Sequence, residues 1–68
     1  MDEVQRIVDR LWKLMKERKY PSSVMQTVIG AIDLATNPMK TAEEIEPLII
    51  AAKTPKEAVK AVQRFFVG

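Results

Sequence analysis

An all-α fold, a compact domain of four helices, is predicted for this chain by three observations. Apolar residues recur at three- and four-residue spacing over most of the 68 residues. Prolines and capping residues divide that pattern into four segments, and no alternating stretch offers a strand a partner. At this length one core only just offsets the conformational entropy of folding, so residues 1–68 are expected to form a single domain.

The first helix is expected over about residues 2–19, with Val4, Ile7, Val8, Leu11, Leu14 and Met15 on one face. Asp2 and Glu3 open it and Lys16, Arg18 and Lys19 close it, an order that complements the helix dipole. Arg6, Arg10 and Lys13 share the opposite, solvated side, with Asp9 and Glu17 interleaved.

The second helix is expected over about residues 22–36. Tyr20 to Ile32 holds no charged residue although 29% of the chain is charged. Pro21 keeps Tyr20 out of helical dihedrals, and the Ser23 to Gln26 spacing offers a capping box. Val24, Met25, Val28, Ile29, Ala31, Ile32 and Ala35 cover a broad arc, which predicts a central helix touched on several sides. Gly30 in its interior then marks a close approach of another backbone, and Gly30→Leu is expected to destabilise the fold.

Asn37-Pro38 reads as the stop of that helix, and Thr41 with Glu44 as a capping box opening a third over about residues 42–53. Glu43, Glu44 and Glu46 would occupy its first turns, where negative charge is favourable. Pro47 removes an interior hydrogen bond, so this helix is expected to be kinked or broken there. Leu48 to Ala52 is apolar all round and expected to be deeply packed.

The fourth helix, about residues 55–67, has the clearest start: Thr54 as N-cap, Pro55 at the first helical position and Glu57 closing a capping box. Ala58, Ala61, Val62, Phe65 and Phe66 form its apolar face. Lys56, Lys60 and Arg64 line the other at four-residue intervals.

Composition excludes most catalysis. With no His and no Cys, the usual near-neutral base, the usual zinc ligand and thiolate chemistry are all missing. Only two Gly occur, so no glycine-rich loop cradles a phosphate, and no cofactor or metal is expected. Glu43, Glu44 and Glu46 lack the spacing of an acidic cation loop and read as structural charge. No run approaches the ~20 apolar residues of a membrane span. The N-terminus alternates charges where a signal peptide would carry an apolar stretch, so the expectation is a cytoplasmic, non-enzymatic protein with no membrane role.

Two surfaces remain as candidates. Trp12, with Val8 and Met15 beside it, falls at the edge of the first apolar face and would anchor a protein partner or a second copy. This reading, a small binding or scaffold module, is the leading expectation. The alternative is nucleic-acid contact through Lys53, Lys56, Lys60 and Arg64, with Gln63 placed to meet a base edge. The segment from Thr41 to Val67 loosely resembles a helix-turn-helix, although Pro47, its length and the lack of a turn glycine depart from that motif. The net charge of +2 serves solubility as well as it serves a polyanion. The tidy caps also suit an engineered helical protein with no natural function, against which Gly30 and Pro47 inside helices argue.

Overall fold

Asp2 starts the first helix as an N-cap, its carboxylate accepting the Val4 N–H at 3.0 Å. In the computed structural model, which describes residues 2–66, four helices follow in order: α1 (Glu3–Glu17), α2 (Ser22–Asp33), α3 (Pro38–Ala51) and α4 (Pro55–Gln63). Met1, Val67 and Gly68 lie outside the described residues, and with them the expected last residue of the fourth helix. Its regular part ends at Gln63, and residues 64–66 form a turn.

α1 stops two residues earlier than expected, for a backbone reason. Lys19 takes the left-handed region at φ 60°. The Tyr20 N–H then donates to the Met15 carbonyl and the Lys19 N–H to the Lys16 carbonyl, each at 3.0 Å, which is a Schellman cap. Tyr20, now buried against the core, supplies the apolar anchor that such caps usually carry.

α2 begins at Ser22 with Pro21 in the N-cap position and no side-chain cap. The expected Ser23 to Gln26 box does not form. Instead the Ser23 carbonyl accepts the Thr27 hydroxyl at 2.8 Å, a bond to the preceding turn that Ser and Thr make inside helices. The open space around Gly30 corrects a second expectation. A Cβ built there meets nothing within 4 Å, so no neighbouring backbone approaches it.

α3 departs most from expectation. Asn37-Pro38 opens this helix: the Asn37 side chain accepts the Lys40 N–H at 3.2 Å, and Pro38 takes the first helical position, where its missing N–H costs nothing. Thr41 is therefore inside the helix, and Glu43, Glu44 and Glu46 lie past its first turn. Pro47 leaves α3 unbroken as one element from Pro38 to Ala51. It sits on the exposed side, where water can serve the carbonyl that loses its partner.

Fourteen apolar residues form one core, twelve from the four helices together with Tyr20 and Ala52, and no polar or charged residue is buried among the described residues. α2 and α3 each touch the other three helices, whereas α1 and α4 do not touch. The central position expected of α2 is thus shared with α3. Arg18, just past α1, reaches the last carbonyls of α3. The C-termini of α1 and α3 therefore meet at one pole, from which α2 and α4 both start. No described helix is long and apolar enough to cross a membrane.

Candidate nucleic-acid interface

α4 is positioned from its start by Thr54. The Thr54 hydroxyl oxygen accepts the Glu57 N–H at 3.1 Å, the expected N-cap bond, while the Glu57 carboxylate accepts from the Thr54 hydroxyl at 3.3 Å and not from the Thr54 N–H that a full capping box would use. Ala58 and Val62 are buried against α2 and α3, which sets the rotation of the helix. That rotation turns Lys56, Lys60, Gln63 and Arg64 to solvent, with Lys53 exposed on the joint before it. Successive cations stand one turn apart, a rise of roughly 6 Å for four residues.

Two of the cations on α1 are paired, whereas Lys13 and Lys16 on the same helix have no ion-pair partner among the described residues. On α1, Arg6 lies 3.7 Å from Glu3, and Arg10 is held by Glu46 of α3. Arg10 Nε donates to Glu46 Oε2 at 2.8 Å and Nη2 to Oε1 at 3.0 Å, a bidentate pair. Those hydrogen bonds hold the Glu46 carboxyl below the usual carboxylate range, against a smaller opposing effect of burial, and raise the Arg10 guanidinium. Among the described residues, no acid pairs with Lys53, Lys56, Lys60 or Arg64. Glu57, the acid within α4, is engaged at the Thr54 cap.

All five residues expected to contact nucleic acid are exposed, but only Lys56, Lys60 and Gln63 share a side of α4; Arg64 follows its last residue, and Lys53 borders a separate depression with Arg18 and Pro55. Lys56, Val59, Lys60 and Gln63 line a shallow depression in α4. Arg64 is held over the Phe65 ring, its Cζ 5.2 Å from the ring centroid, which fixes where its charge sits.

The second candidate surface does not stay together. Met15 is 0% exposed, in the centre of the core, and so cannot share a surface with Trp12. Its place in the sequence is the reason: with Ile7 and Leu11 it forms the middle of the α1 stripe. Trp12 is 43% exposed, as its edge position implies, and Val8 is half-buried.

A third surface was not expected from the sequence. Leu11, Leu14 and Ile50 floor an open groove between α1 and α3, with Arg10, Glu46, Lys13 and Glu17 at its rim. Leu14 lies on the opposite edge of the α1 stripe from Trp12, about 160° away at 100° per residue. Comparison of the chain with protein-family models, curated proteins and solved structures finds no match.

Proposed function

We propose that this protein is a non-catalytic helical binding module whose α4 face holds a nucleic acid through its phosphates. One observation carries the reading: Lys53, Lys56, Lys60 and Arg64 are exposed, with no acidic partner among the described residues, while the acid on the same helix is engaged at its cap. A row of cations spaced by one helical turn suits a polyanion better than a folded protein, whose surface charges are mixed. Gln63 between them offers an amide to a base edge. A nucleic-acid ligand also accords with a cytoplasmic location.

Fluorescence anisotropy with labelled single-stranded and duplex DNA tests this. Affinity should fall steeply with salt, with a log–log slope of about −2.8 on single strands and about −3.6 on duplex for four phosphate contacts. The triple variant Lys56→Glu, Lys60→Glu, Arg64→Glu should lose binding while keeping its helical circular dichroism. A titration that is flat with salt, or unchanged in that variant, rules the reading out.

A second reading, self-association through the exposed indole of Trp12 beside Val8, is supported by the exposure of that large aromatic. Light scattering across a concentration series tests it. A strictly monomeric chain, or a dimer unaffected by Trp12→Ala, removes it.

A further inference from the structure

Phe66 is 47% exposed, although Phe65 beside it packs against the core. The backbone there is held: the Phe65 N–H donates to the Val62 carbonyl and the Phe66 N–H to the Gln63 carbonyl, each at 3.0 Å. These bonds place Phe66 one tight turn beyond Gln63, at the end of the row formed by Lys56, Lys60 and Arg64. The row therefore ends in an aromatic ring open to solvent, its backbone bonded to Gln63, which with Lys56, Val59 and Lys60 lines the depression on α4. Burying the ring would have been the default for a core of few aromatics, since only 6% of the chain is aromatic.

Resting on the polyanion reading above, we infer that the ligand of this face is single-stranded, with Phe66 stacking on an unpaired base while Lys56, Lys60 and Arg64 follow the adjacent phosphates. A duplex hides its base faces in the stack and gives an exposed ring nothing to meet; a single strand presents them. Cations that track a backbone beside an aromatic platform are the combination that binds single strands with little sequence preference. Arg64, stacked against Phe65, adds a planar guanidinium in the same row.

The test compares a labelled oligothymidylate with a duplex of the same length, across a salt series that starts low, for the parent, Phe66→Ala, Phe66→Tyr and Lys60→Glu. The single strand should bind more tightly than the duplex. Phe66→Ala should weaken that binding roughly tenfold without changing its salt slope. Phe66→Tyr should retain it, and Lys60→Glu should reduce both affinity and slope. Parent-like affinity in Phe66→Ala, or equal affinity for duplex and single strand, overturns the stacking inference while salt-sensitive binding keeps the polyanion reading. Absence of binding to either probe overturns both. Matching circular dichroism among the variants shows that the differences are not losses of fold.

Discussion

Arg18 donates from Nη1 to the main-chain carbonyl of Ile49 at 2.9 Å, joining the end of α1 to the end of α3 across 31 positions of sequence. The same nitrogen reaches the Ala52 carbonyl and Nη2 the Ile50 carbonyl, both at 2.9 Å. A helix leaves its last carbonyls without intrahelical donors, and a cation there also complements the dipole. Arg18→Ala is expected to lower the unfolding free energy by about 1–2 kcal/mol. Arg18→Lys should recover less than half of that, because an ammonium cannot fork between carbonyls as a guanidinium does. Urea midpoints measure both; an unchanged midpoint for Arg18→Ala would mean water serves those carbonyls equally well.

Lys19 holds the left-handed conformation at φ 60° that closes α1. A side chain makes that region unfavourable by about 1–2 kcal/mol, part of which Gly returns as unfolded-state entropy. Lys19→Gly should therefore raise stability by roughly 0.5–1 kcal/mol, and Lys19→Ala should not. Comparing the two variants in urea isolates the backbone effect from loss of the charge.

Gly30 is the opposite case, a helix-interior glycine with ordinary dihedrals and free space where a Cβ would go. Gly30→Ala is expected to stabilise by up to about 1 kcal/mol, or roughly 4–8 °C in Tm for a domain of this size. A thermal melt followed by circular dichroism decides it. A lower Tm would show that α2 requires the absence of a side chain at that position after all.

These residues show which parts of the molecule the sequence makes legible. The core face of α1 follows from spacing alone, and that of α4 does so except at Phe66, which the spacing put on the apolar face and which is exposed; the exposed cations of α4 follow from the same periodicity. Asn37-Pro38 is not readable in the same way, because Asn before Pro serves as well to cap a new helix as to end an old one. Choosing between them needs to know where Ala42 and Ile45 pack. Arg10 and Glu46, 36 positions apart, belong to two charge rows that each look fully solvated when taken alone. Met15 was separable from Trp12 only by weighing its central place on the stripe above its neighbourhood.

Glu46 ties α1 to α3 through its charge, which makes the tie dependent on pH. Its carboxyl has a lower pKa in the folded chain than in the unfolded one, because of the Arg10 hydrogen bonds, so the folded state binds fewer protons. The stabilisation is present above about pH 4.3, the ordinary Glu value, and is lost as pH falls through the folded-state value. Glu46→Gln keeps the shape and a hydrogen-bond acceptor. The parent should be the more stable of the two near neutral pH, and the gap should close on acidification and narrow in high salt. A gap that is constant with pH would show that the carboxylate charge is not what joins the helices.

Ile49 and Ile50 are identical neighbours with opposite surroundings, 0% and 55% exposed. The run Leu48 to Ala52 is therefore not packed all round: Ile49 and Ala52 face the core, while Ile50 and Ala51 face outward. Ile49→Ala should cost about 2–5 kcal/mol, through lost burial and the cavity left in the shared core. A loss that large would leave a domain of this size with little residual stability. Ile50→Ala should cost well under 1 kcal/mol, since surface changes seldom exceed that. The comparison also probes the groove between α1 and α3. If Ile50→Ala instead lowers stability in a concentration-dependent way, the residue is covered by a second copy in solution, and light scattering on the same samples would show the dimer directly.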